Sequence, residues 1–269
     1  MNASQSRDIY AQPREVTDLS ECRFYHTMEI PGHGVVEGQW DLRKGIREYT
    51  GGLDFKGKRV LEVGTASGFV CFYMEREGAD VVAYDLSDQD SWDIVPMRSI
   101  DLGREDRVRR ASLREINNGY WFAHRALGSK ARVVYGRAYA IPKAIGDVDI
   151  SIFCTVLLHL RDPFLALWNA ARLTRSTMLV TESEGIDLDA NPARSEGEDL
   201  QLMQFIPNFR TGKPLDSWWY LSPQAIVAFL GVLGFGDCTV TRHSQASYEG
   251  ERKLFTVVAR RTAEESRNG

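Results

Sequence analysis

The sequence predicts an α/β fold, a doubly wound and mostly parallel sheet with helices on both faces. Three observations predict it. Apolar runs of strand length alternate with helical patterns through most of the 269 residues, as strand–helix–strand units with right-handed crossovers do. The first run, Val60-Leu61-Glu62-Val63, ends in a glycine-bracketed turn, Gly64 to Gly68, that opens a helical pattern. The second, Asp80 to Asp85, ends in an acid one strand–helix–strand step later.

The elements follow in order. Residues 1–20 are polar. Residues 1–50 form an extension in which Arg23 to Trp40 is rich in aromatic residues, His and Gly, placed to fold over the sheet as a lid or to cap the core. Asp41 to Tyr49 reads as a helix, broken at Gly51-Gly52. The domain proper spans 51–260. Arg59–Val63 is its first strand, Phe69–Glu77 a helix closed by Gly78, and Asp80–Asp85 the second strand. The insertion 86–130 holds a loop with a short helical piece over Ser87–Ile100, then a helix over Arg107–Leu127. Strands follow at Ala131–Tyr135, Asp147–Cys154 and Met178–Glu182. Asp162-Pro163 starts a helix between the last two. The stretch 183–217 reads as a polar loop. Ser222-Pro223 opens a helix to Leu233, and Phe235–Arg242 with Lys253–Ala259 make two final strands. A polar tail, 261–269, ends the chain.

Composition bounds the function. Hydrophobic and charged fractions of 43% and 26% are those of a globular protein. The apolar runs fall short of the roughly 20 residues that span a bilayer, and the polar N-terminus lacks a secretory signal, so a cytoplasmic location is expected. Cys22, Cys71, Cys154 and Cys238 are far apart, which argues against a zinc site. A net charge of −4 and a pI near 5.8 weigh against a nucleic-acid partner. The arginines at 104, 107, 109, 110 and 114 alternate with acids, as a solvated helix face does.

The turn carries the chemistry. Glu62 at the strand end would repel a pyrophosphate and accept from an ammonium group. Ala66 stands where the three-glycine dinucleotide fingerprint needs glycine, and no Gly-Lys-Ser/Thr follows. Asp85 occupies the usual place for a ribose diol acceptor. Two acids and a bare turn suit a cationic adenosyl cofactor without phosphates.

"VLEVGTASGF" and "VVAYDLS" resemble motifs I and II of the class I S-adenosylmethionine (SAM) dependent methyltransferases. "GDVDISIFCTVLLHLRDPFLAL" and "WWYLSPQAIVAFLGVLGF" are similar to later segments of that class. "YHTMEIPGHGVVEGQWDLR" resembles a branch that includes tRNA wobble-uridine methyl- and carboxymethyltransferases and short relatives with other substrates. The resemblance implies a Rossmann-like sheet of seven strands whose last strand is antiparallel. It implies that Glu62, Gly64 and Gly68 hold the methionine end and Asp85 the ribose, with Thr65, Ala66, Phe69, Leu86, Ala138, Tyr139, Cys154 and Thr155 completing the cofactor set. Arg137 stands where the class often has an adenine-binding aspartate. Leu158 stands where the carboxymethyl branch has a tyrosine, which argues for ordinary SAM, with S-adenosylhomocysteine (SAH) as product.

His159 past the fourth strand and Glu182 past the fifth are candidate bases. His159 also suits a packing role, and Glu182 a substrate-binding one. His26, His33, Tyr120, Trp218 and Trp219 are candidate substrate-binding residues, although core packing accounts for the aromatic ones as well. The expected acceptor is a small molecule, a sugar or secondary metabolite methylated on O or N, with tRNA the runner-up. A NAD-dependent oxidoreductase and a non-catalytic SAM-binding module are rivals of another class.

Overall fold

In the computed structural model, which describes residues 9–185 and 200–262, the extension opens with three short strands. β1 (Met28–Ile30) and β2 (Gly34–Val36) form a hairpin, and β3 (Trp40–Asp41) joins the main sheet. α1 (Ile46–Tyr49), β4 (Arg59–Val63), α2 (Phe69–Arg76), β5 (Asp80–Asp85), α3 (Leu102–Leu127), β6 (Arg132–Tyr135) and β7 (Val148–Cys154) follow. α4 (Pro163–Ala171), β8 (Thr174–Ser183), β9 (Met203–Phe205), β10 (Trp219–Leu221), α5 (Pro223–Val232), β11 (Asp237–Ser247) and β12 (Gly250–Arg260) complete the chain. The parts of the polar N-terminus, the 183–217 loop and the tail at 1–8, 186–199 and 263–269 lie outside the described residues.

The main sheet runs β3-β11-β12-β8-β7-β4-β5-β6. β4 to β8 are mutually parallel, and β12 is antiparallel to β8 and β11. The expected seven-stranded sheet with an antiparallel last strand is therefore present, with β3 as an eighth strand at its edge. Asp41, expected to open a helix, instead pairs with Ala246 of β11, and Trp40 before it pairs with Ser247. The following helix shrinks to Ile46–Tyr49, because Asp41 in β3 holds Arg43, which donates to it through Nε at 2.8 Å, and residues 43–45 form a turn.

Side-chain alternation along the strands makes two cores. Val60, Val81, Ala83, Ile150 and Ile152 face α2 and α3; Leu61, Val63, Val82, Tyr84 and Phe153 face α4 and α5. The helix ends are where capping chemistry places them. Asp101 accepts from Arg104 N at 3.0 Å, so α3 begins five residues earlier than apolar spacing suggests. Asp162 and Ser222 cap α4 and α5 ahead of Pro163 and Pro223. The helical piece expected within 87–100 is absent. That backbone is tied to distant partners instead: Val95 N donates to Leu215 O at 2.9 Å and Trp218 Nε1 to Asp93 O at 2.7 Å. Among the described residues no helix is long and apolar enough to cross a membrane.

Besides the pairing of β3 with β11, one hydroxyl ties the extension to the turn after β4. Ser67, fully buried in the turn after β4, accepts from Tyr25 N at 3.0 Å and His26 N at 3.4 Å. Removing that acceptor leaves two amides without their partner, a loss of about 1–3 kcal/mol. Ser67→Ala is expected to lower the urea midpoint by that margin at unchanged m-value, as read by far-UV circular dichroism.

Candidate functional site

β4 leads to two neighbours in opposite directions across the sheet, β5 and β7, and a cavity of about 310 Å³ opens beyond the carboxyl ends at that switch point. Val63, Gly64 and Ala66 form its floor. Tyr84, Asp85 and Leu86 stand on one side, Cys154, Thr155 and Val156 on the other. Tyr25, His26 and Gln39 of the extension also line it.

The floor is shaped by positive φ angles. Gly64 sits at φ +86°, and a Cβ there would come within 2.4 Å of Val156 Cγ2. Gly68, at φ +90°, caps the start of α2 where a Cβ would meet Phe72 at 2.5 Å. Ala66 and Thr155 adopt the same region at φ +48° and +55°. Strain of this kind in non-glycine residues clusters at ligand sites.

Parallel pairing of Glu62 with Ala83 puts Glu62 and Asp85, two residues on, on one face of the sheet. Half-buried Asp85 accepts from Ala66 N through Oδ2 and from Leu86 N through Oδ1, each at 2.7 Å. Burial raises its pKa to about 6 against those two bonds. Glu62 is 2% exposed and lies behind the floor rather than on it. Its Oε2 accepts from Thr65 Oγ1 at 2.6 Å, and burial, with the charge of Asp85 adding to it, pushes its pKa up to about 8 against that bond.

The rest of the sequence-selected set divides cleanly. Gly64, Ala66, Asp85, Leu86, Ala138, Tyr139, Cys154 and Thr155 line the cavity, as do His26 and His159. Thr65, Gly68 and Phe69 support the floor from behind. Tyr120 packs on Phe72 at 5.2 Å inside the core, and exposed His33 lies edge-on to Phe122 at 4.9 Å, off the cavity. Trp218 and Trp219 do not reach it either. Trp218 pins the insertion, and Trp219 Nε1 donates to Arg161 O at 3.2 Å. The expectation that these four residues wall a substrate pocket is corrected, since none lines the cavity: packing and hydrogen bonds hold Tyr120, Trp218 and Trp219, and His33 is exposed.

His159 stands on the cavity wall, in the 3-10 turn Leu157–His159 after β7. Its Nδ1 bonds to Asp216 O. A carbonyl only accepts, so Nδ1 carries the hydrogen and Nε2 keeps a free lone pair. Burial lowers the pKa of this imidazole, with Arg109 adding to the effect and Asp216 opposing it. His26, 6% exposed, is held neutral more firmly, its pKa lowered to about 3 by burial. Glu182 is corrected as a candidate base. It is 2% exposed, and its Oε1 accepts from Leu157 N at 2.7 Å beneath the turn that carries His159. Burial pushes its pKa to about 8 against that backbone donation.

Sequence reasoning did not single out Tyr25, Gln39, Ser91, Trp92, Asp93, Arg109 or Asp216. For Arg109 a signal existed, because Arg109, Ser112, Leu113 and Ile116 recur at helical spacing and all line the cavity. Arg137 lines it too, half-exposed, 3.7 Å from Asp90.

The raised Glu62 pKa gives a testable pH dependence. A carboxyl whose folded pKa lies above its ordinary 4.5 contributes stability that is complete below pH 4.5 and lost as pH rises through about 8. Glu62→Gln removes that loss at this position while Glu182 retains its own. The fall in Tm of the ligand-free protein from pH 5 to pH 9, measured calorimetrically, is expected to shrink in the variant.

No family model matches the chain, and no curated protein matches it. Solved structures do. The N-terminal domain of EvdMO1, solved in the presence of SAH and D-fucose, aligns at 18% identity and TM-score 0.51 over 91% of this chain and 93% of that one. Magnesium protoporphyrin IX methyltransferase from Synechocystis PCC 6803 with bound SAH aligns at 12% identity and TM-score 0.50 over 82% of each chain. The 1,6-didemethyltoxoflavin-N1-methyltransferase of Burkholderia thailandensis, with its substrate and SAH, aligns at 12% and 0.50 over 81% and 78%. At these identities the likeness establishes architecture: the chain has the Rossmann-like fold found in SAM-dependent methyltransferases.

Proposed function

We propose that the protein is a SAM-dependent methyltransferase acting on a small-molecule acceptor. The observation that carries this is the pair of acids on one face of the sheet. Asp85 lines the cavity where a ribose diol would donate, and Glu62 is buried beneath the floor with no cation partner among the described residues. A cofactor with an ammonium group and no phosphate fits both. The floor of Gly64 and Ala66 offers bare backbone to it, and Leu86, Ala138 and Tyr139 offer a flat wall for a base. SAM supplies a methyl carbon activated by a sulfonium, and SAH is the product.

The chain's part in such a reaction is to orient and to accept a proton. Tyr25, His26 and Gln39 cover the cavity as a lid, so the extension excludes water from the reacting atoms. His159 has its Nδ1 hydrogen committed to Asp216 O, and its Nε2 takes the proton of an acceptor hydroxyl or amine. Glu182 is a positioning residue that holds the His159 turn by its backbone. The neighbour solved in the presence of D-fucose and the one with bound 1,6-didemethyltoxoflavin support an acceptor of that size.

The alternative acceptor, a tRNA wobble uridine, draws on the branch resemblance and on the exposed arginines 104, 107 and 114 of α3. Arg109 and Arg110 are already bound to Asp216 and Asp106. Tight tRNA retention on filters, with a steep salt dependence, would reverse the order.

Calorimetric titration with SAM and SAH is expected to give saturable one-to-one binding, weakened about tenfold or more by Asp85→Asn. No binding of either, or binding of NAD instead, overturns the reading. Once an acceptor is in hand, His159→Asn is expected to lower kcat by about 10²–10⁴-fold. The parent's kcat should fall with pH below 6.5 as the imidazole protonates, whereas the variant's should not.

A further inference from the structure

We propose that Arg109 anchors an anionic group, a carboxylate or a phosphate, on the methyl acceptor; the proposal rests on the methyltransferase reading above. Arg109 is the first residue of the α3 stripe that faces the cavity. Its side chain keeps 20% of its exposure, and a guanidinium withdrawn that far from water needs acceptors for its hydrogens. The protein provides one. Nη1 donates to Asp216 Oδ2 at 3.0 Å, and the guanidinium carbon stands 5.3 Å from the Trp92 ring centroid. These contacts fix the direction of the fork. Among the described residues nothing else accepts from it, which leaves most of the five N–H donors of a guanidinium unused. None of its nitrogens is a sealed, unpartnered atom, so the unused donors remain accessible.

The donors around it suit an anion's oxygens. Arg23, on the same wall, donates through Nη1 to Ser112 Oγ at 2.7 Å and stands 3.9 Å from Glu115. The acids on that side already have donors. Asp216 balances the charge of Arg109, and Asp93 accepts from Arg161 N at 2.9 Å and from Tyr139 OH. A planar fork with parallel donors is the group that takes carboxylate or phosphate oxygens two at a time. Asp216 also joins this subsite to the chemistry. Its carboxylate holds Arg109 and its backbone carbonyl holds His159, so an acid group docked on Arg109 places a neighbouring hydroxyl toward the imidazole.

The test uses the full chain saturated with SAH and three hexose probes at equal concentration: methyl glucoside, glucuronate and glucose 6-phosphate. Binding is read by saturation-transfer NMR. At least one anionic probe is expected to bind about tenfold or more tightly than the neutral one, and the two anionic arms tell carboxylate from phosphate. Arg109→Gln should abolish the preference and Arg109→Lys should weaken it, both with SAH affinity unchanged. Equal binding of neutral and anionic probes, binding of no anionic probe, or an unaltered preference in Arg109→Gln overturns the proposal while leaving the cofactor reading intact. Failure of the parent to bind SAH removes the cofactor reading and this one with it.

Discussion

Two carboxylates on one side of a sheet, Glu62 buried and Asp85 half-buried, set the terms for the rest of this molecule. Removing a carboxylate from water is expensive unless hydrogen bonds or a counter-charge replace the solvent. Asp85 receives two backbone amides, from Ala66 and Leu86. Among the described residues Glu62 receives only the Thr65 hydroxyl. The left-handed angles at Gly64 and Ala66 turn the Ala66 amide toward Asp85 and keep side chains off the floor. The turn is thus shaped by what the acids require, and the unmet part of that requirement is a positive charge.

The wall opposite is organised by a third acid, Asp216, outside the sheet. It touches Arg109 through its carboxylate and His159 through its carbonyl. Glu182 supports the same histidine from below through the Leu157 amide. His159 is therefore held from two directions, and the hydrogen on its Nδ1 is dictated by a group that can only accept. The cavity combines a side suited to a cation with a side where an arginine fork faces inward.

Between these walls the N-terminal extension is fastened by hydrogen bonds, by sheet pairing and by apolar packing. Ser67 binds two of its amides, while Thr27 N donates to Trp40 O at 2.7 Å and Trp40 N to Tyr25 O at 3.1 Å. These bonds, with Ala11 N to Val133 O, Arg23 N to Glu115 O and the pairing of β3 with β11, hold Tyr25, His26 and Gln39 at the cavity. Val16, Phe24, Met28 and Ile30 of the same extension are buried in the core, so it stands as a fixed wall of the site.

Local order along the chain was enough to determine the parallel core. Val60–Val63 and Asp80–Asp85 are apolar runs that end in acids, and the glycines after the first dictate a turn, whatever packs around them. Asp85, Ala66 and Leu86 are cavity residues because they follow strand ends, a property of chain order. The tertiary structure decided what depends on residues far apart in sequence. Trp40 and Asp41 become strand because β11 offers them an edge, and the 87–100 loop has no helix because Leu215 and Trp218 satisfy it from a distance. Glu182 and Trp218 look like site residues in sequence and instead hold segments beside the cavity, Glu182 through the Leu157 amide and Trp218 through the Asp93 carbonyl. Arg109 looks like one of several solvated arginines, and only the docking of α3 beside Asp216 turns it inward. Hydrophobic period and turn chemistry are local and legible, whereas the partner of a charge is set by the whole fold.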